Sequence, residues 1–93
     1  MPRYLIERQF HVGRERMPEV GRRSREVLAA QFPQVEWEHS HVAVDEGGGV
    51  KMFCLYDAPS EDVVRQHAKE LGLHDVEAVY EIAGDVTPAD FPL

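Results

Sequence analysis

In the stretch Trp37-Glu38-His39-Ser40-His41-Val42 two imidazoles stand one residue apart. Alternate side chains of an extended strand share a face, so Trp37, His39, His41 and Ala43 are expected on one side, with Glu36, Glu38, Ser40 and Val42 on the other. Residues two apart lie roughly 6.5 Å apart along the strand axis. Imidazole nitrogens bind divalent ions at about 2 Å, so both rings can turn toward one ion. The same pair has two other uses: a histidine titrating near neutrality can move a proton, and two rings beside Trp37 can simply pack. As a chelate the pair is incomplete, and a carboxylate, a thiolate, a further histidine or a second chain must finish the coordination sphere.

The candidates for completion are spread along the chain. Glu7 is the preferred carboxylate: in Tyr4-Leu5-Ile6-Glu7-Arg8-Gln9-Phe10 it falls on the side opposite Tyr4, Ile6, Arg8 and Phe10. Cys54 joins only if its face is shared with His39; a buried small residue with a quiet thiol is the commoner role for a lone cysteine. His67 lies one helical turn after Val63 and His74 just after Gly72, positions at which capping or solvation near a helix end is the ordinary reading. His11 has no local partner.

These side chains need a scaffold, and the pattern supplies one. Tyr4 to Phe10 alternates as a strand. Pro18 suits a first helical turn, and Val20, Val27, Leu28 and Phe32 follow at near-helical spacing until Pro33. Val35 to Val44 and Val50 to Tyr56 alternate again around Asp45-Glu46-Gly47-Gly48-Gly49, a hairpin signature. No Lys-Ser/Thr and no helix follow these glycines, which argues against a phosphate cradle. Ala58-Pro59-Ser60-Glu61-Asp62 opens a second helix with a capping hydroxyl and two acids, Val64, Ala68 and Leu71 line its face, and Gly72 ends it. Val76 to Ala83 reads as the last strand, with Tyr80 and Ile82 toward the helices and Glu77 and Glu81 away from them.

The order strand, helix, strand, strand, helix, strand predicts an α+β, ferredoxin-like βαββαβ fold: one antiparallel sheet with both helices on one face. A single domain over residues 1–83 and a tail over 84–93 are expected. The uncovered sheet face is most economically covered by a second copy, so a homodimer is expected.

Composition narrows the function classes. The 93 residues suffice for one core and not two. No apolar run approaches the roughly 20 residues that span a bilayer. The N-terminus lacks an apolar targeting segment, and a cytoplasmic location is expected. The net charge of -7 is uneven, with seven Arg against three Glu up to Arg25 and three basic against fourteen acidic residues beyond. Without an aromatic platform or binding motif beside the arginines, no nucleic-acid partner is expected. There is no nucleophile elbow and no cysteine-rich metal signature. A small cofactor-independent dimeric α+β barrel enzyme, with a histidine as base beside Glu7 or Tyr56, stands as the alternative, and a structural dimerisation module as a third reading.

Several segments resemble one family: Met1-Pro2-Arg3-Tyr4-Leu5-Ile6-Glu7-Arg8, Trp37-Glu38-His39-Ser40-His41-Val42, Met52-Phe53-Cys54-Leu55-Tyr56-Asp57-Ala58-Pro59, Arg65-Gln66-His67-Ala68 and Gly72-Leu73. In order and spacing they are similar to small bacterial nickel-binding proteins with a dimeric ferredoxin-like fold. The resemblance implies a non-catalytic dimer that binds nickel at its surface and serves as a metal sink or store. Within the resembling segments His39, His41 and His67 are the metal candidates, followed by Glu7 and Cys54. The residue types alone suit nickel, copper or zinc, so the ion's name comes only from the resemblance.

Overall fold

The structure, a computed structural model, describes residues 1–93. Its elements are β1 (Arg3–Phe10), α1 (Met17–Gln31), β2 (Glu36–Val44), β3 (Val50–Asp57), α2 (Glu61–Leu71) and β4 (His74–Glu81), with short 3-10 turns at Arg14–Arg16 and Pro88–Asp90. The strands form one sheet in the order β2-β3-β1-β4, antiparallel at every junction. This is the expected α+β, ferredoxin-like arrangement. No helix is long and apolar enough to cross a membrane.

Strict alternation in β1 and β3 sets the two faces. Tyr4, Ile6, Arg8 and Phe10 of β1, with Val50, Met52, Cys54 and Tyr56 of β3, are buried, and each residue between them is half-buried. The buried rows meet Val20, Ser24 and Leu28 of α1, spaced four apart. From α2 come Val64, His67, Ala68 and Leu71. Leu5, Glu7 and Gln9 therefore look out from the helix-free face beside Phe53 and Leu55, as alternation required.

The helix ends follow local chemistry. Ser60 caps α2 by accepting from the Val63 amide at 3.3 Å, and Glu61 and Asp62 lie against the positive end of the helix dipole. Ser60→Ala is expected to lower the unfolding free energy by about 1 kcal/mol, as read from urea denaturation. At the other end Gly72 adopts φ 70°, a conformation that side chains with a Cβ resist, and Leu73 at φ 65° completes the reversal into β4. In the β2–β3 hairpin the Asp45 carboxylate accepts from the amides of Gly47 (3.0 Å) and Gly49 (2.7 Å). A Cβ on Gly49 would lie 2.6 Å from that carboxylate, so the glycine-rich turn is built for a backbone approach to an aspartate.

Two irregularities change which residues share a face. In β2, Trp37 pairs with Tyr56 and His39 with Leu55, leaving Glu38 as an extra residue. Trp37 therefore sits on the helix side, with its indole N–H donating to Ser40 at 2.9 Å. His39 and His41 stand on the other side, opposite Leu55 and Phe53. The expectation that Trp37 shares their face is corrected by this bulge, which Arg3 helps hold by gripping Glu38 with two hydrogen bonds (2.7 and 3.0 Å). In β4 the pairing passes from Glu7↔Ala78 to Arg8↔Val76, so Glu77 is the extra residue. Tyr80 is thereby turned to the helix-free face opposite Leu5, where it is 57% exposed, instead of toward the helices. β4 also begins at His74, two residues before the expected start.

Candidate metal centre

His39 and His41 occupy β2, an edge strand, on the face without helices. Both are exposed, and their ring centres lie 5.2 Å apart with planes at 84°. An imidazole bound at roughly 2.1 Å puts its ring centre about 3 Å from the ion, so this separation suits two rings on one ion. Histidine-ring hydrogen bonds in the chain belong to His11, His67 and His74. The rings at 39 and 41 have none, and their nitrogens are available to a ligand.

Their surroundings are anionic. Arg3 meets Glu38, Asp85 (2.7 Å) and, more loosely, Asp57 (3.8 Å), which joins β1, β2, β3 and the segment after β4 around one guanidinium. The hydrogen bond from Arg3 holds the Glu38 carboxyl below its usual range. The neighbouring Glu38 carboxylate, then burial, push Asp57 up. Neither Glu38 nor Asp85 was a sequence candidate. The resembling segment does include Glu38, but nothing in strand periodicity foretells a bulge that turns it and His39 to neighbouring positions.

The other three candidates do not join the pair. Glu7 shares the face but lies on β1, with β3 between, roughly 10 Å away at about 4.8 Å per strand. It is also engaged by Lys51 at 2.9 Å, a bond that raises the lysine's pKa. Cys54 is buried on the helix side, in register with Ile6 of β1 and Ser40 of β2. His67 is buried on that side too. A single ion held by His39 and His41 draws no ligand from Cys54 or His67, because the sheet lies between them. No group of three or more His, Cys, Asp or Glu side chains converges within the chain.

His67 has a packing role in place of a surface one. It is 1% exposed, its Nε2 lies 3.2 Å from Ser24 Oγ, and it stands edge-on to the rings of Tyr56 (5.5 Å) and Phe32 (6.1 Å). Burial, helped by the charge of Arg8, pulls its pKa down to about 4. His74 is half-buried against Phe10 at 4.9 Å, and its Nδ1 lies 2.6 Å from the Gly72 carbonyl. Burial lowers its pKa as well. The spacing Val64, His67, Ala68, Leu71 is the signal that marks position 67 as core.

The helix side also holds a cavity of about 10 Å³ near Tyr56, enough for one water-sized occupant and too small for an organic substrate.

A ferredoxin-like sheet with both helices on one face, and an unengaged imidazole pair at one edge of the other, defines the class: a small α+β protein of ferredoxin-like fold. The chain belongs to the family of nickel responsive proteins like SCO4226, whose model matches residues 4–82. Three solved structures are similar. The crystal structure of SCO4226 from Streptomyces coelicolor A3(2) has a TM-score of 0.64 at 16% identity, covering 90% of this chain and 99% of that one. The solution structure of the C-terminal domain of MgtC from Mycobacterium tuberculosis has a TM-score of 0.60 at 13% identity, covering 90% and 88%. The designed protein Foldit4 has a TM-score of 0.57 at 14% identity, covering 89% and 99%. At these identities the three share the fold alone. No curated protein gives a significant match.

Proposed function

We propose that the chain is a non-catalytic, homodimeric metal-binding protein that holds a divalent ion, nickel, at His39 and His41 and serves as a metal sink or store. The observation that carries this reading is the exposed pair itself: two imidazoles 5.2 Å apart, with no hydrogen bond within the chain to either ring. Borderline nitrogen donors on an open surface suit a late divalent transition metal. The family's description as nickel responsive supports nickel among those ions. Water or side chains of a second copy complete the sphere.

The dimer follows from the same face. Leu5, Phe53, Leu55 and Ala78 lie half-buried there, and Tyr80 is exposed. Packing two such faces removes this apolar surface from water and sets each edge pair beside the partner's sheet.

Calorimetric titration with nickel, alongside sedimentation equilibrium, tests both parts. A dimer that takes up one ion per chain is the expected result, and Leu55→Glu is expected to sediment as a monomer. A wild-type protein that takes up no nickel removes the metal function, and a wild-type monomer removes the proposed face.

A further inference from the structure

Beyond β4 the chain builds a segment that packs on nothing of its own. The Ile82 amide donates to the Arg3 carbonyl at 2.8 Å, and the Arg3 guanidinium grips the Asp85 carboxylate at 2.7 Å. Arg3 shares the strand parity of Leu5, Glu7 and Gln9, so this anchor stands at the rim of the helix-free face. From there residues 86–91 fold on themselves. Asp90 Oδ2 accepts from the Thr87 amide at 2.7 Å, the Asp90 amide donates to the Thr87 carbonyl at 3.0 Å, and the Phe91 amide donates to the Pro88 carbonyl at 3.1 Å. No hydrogen bond ties this turn to the body, and it displays Val86 at 77% and Phe91 at 66% exposure. Ordering a turn costs conformational entropy, and a shape fixed in advance lowers the cost of docking.

A matching recess lies elsewhere on the surface. Between the end of α1 and the start of β2 runs an open groove of about 480 Å³, with Leu28, Pro33, Val35 and Trp37 in its walls and Arg25 and Glu36 as its charged lining. None of residues 86–93 lines it, so the chain's own arm leaves it open. We propose that this groove receives Phe91 of a second copy, so that the two chains of the dimer exchange arms. The inference rests on the dimer proposed above, whose faces bring each anchor up to the partner. With its turn intact the arm spans roughly 15 Å from Asp85 to Phe91. Packed sheets stand about 10 Å apart, so Phe91 can reach past the β2 edge of the facing sheet. Charge fits as well: Arg25 takes part in none of the chain's ion pairs, and Asp90, next to Phe91, keeps its Oδ1 clear of bonds within the arm.

Trp37 is the chain's single tryptophan, so its emission reports on the groove. Sedimentation equilibrium and Trp37 fluorescence, followed together over a dilution series of the full chain, test the exchange. In the wild type, emission is expected to move to longer wavelength as dimers dissociate. Phe91→Ala is expected to show the longer wavelength at every concentration and to weaken the dimer at least about tenfold, and Arg25→Glu to act in the same direction. Both side chains are exposed, so neither change endangers the fold. A wild type that is monomeric throughout overturns the dimer, and the arm exchange falls with it. A wild-type dimer whose affinity and emission survive Phe91→Ala overturns the arm exchange alone. In the monomeric Leu55→Glu chain, Phe91→Ala is expected to leave emission unchanged; a shift there places the chain's own arm in its own groove and also overturns the proposal.

Discussion

Replacing His39 and His41 together by alanine is expected to weaken nickel binding at least about 100-fold. Altering groups that merely orient a ligand already costs roughly 10- to 100-fold, and here both ligands themselves are lost. The fold should not register the change. Both rings are exposed and hydrogen-bonded to nothing in the chain, so the unfolding free energy should stay within about 0.5 kcal/mol of wild type. Glu7→Gln is the comparator: it removes the Lys51 ion pair, two strands away, and is expected to leave affinity nearly unchanged. Imidazole must be neutral to ligate, so wild-type affinity should also fall between about pH 7.5 and pH 5. Calorimetry on the three proteins checks all of this, and a double variant that binds as tightly as wild type sinks the site.

The second large effect is on stability in acid. The His67 pKa is lowered in the folded state from 6.5 to about 4, first by burial and then by Arg8. The unfolded chain therefore binds this proton more readily. The stability associated with neutral His67 is fully present above 6.5 and is lost as pH falls toward 4. About 3 kcal/mol is at stake across that window, a large part of the margin of an ordinary small domain. His74, also lowered by burial, adds in the same direction. Urea denaturation at fixed protein concentration checks it by comparing wild type with His67→Gln, whose amide can still reach Ser24. The wild type should lose about 3 kcal/mol more than the variant between pH 7 and pH 4. Parallel losses in the two proteins would show that His67 does not titrate with folding.

The strand and helix order was legible because each element carries its own period: two in Tyr4 to Phe10 and Val50 to Tyr56, near-helical in Val20, Val27, Leu28 and Phe32. The adjacency of His39 and His41 came from the same rule. Its failure at Trp37 came from one inserted residue, Glu38, whose place depends on an arginine 35 positions away. Long-range pairing of that kind leaves no local trace. Tyr80 was misassigned for the same reason, by the extra residue at Glu77. His67 is a different case: its helical spacing with Val64, Ala68 and Leu71 was present, but the polarity of histidine favoured a capping role. Arg8 shows the same tension, a charge in an otherwise apolar row, and only the packed structure reveals that it meets the Tyr56 hydroxyl and no carboxylate.

The bulge at Glu38 also bears on how chains can line up beside one another. β2 ends the sheet, so its outward backbone donors and acceptors could in principle recruit another strand and start a filament. An extra residue in that border breaks the even spacing such pairing requires and bends the strand away from flatness. Growth into a continuous ribbon is thus discouraged at the same few residues that display the imidazoles.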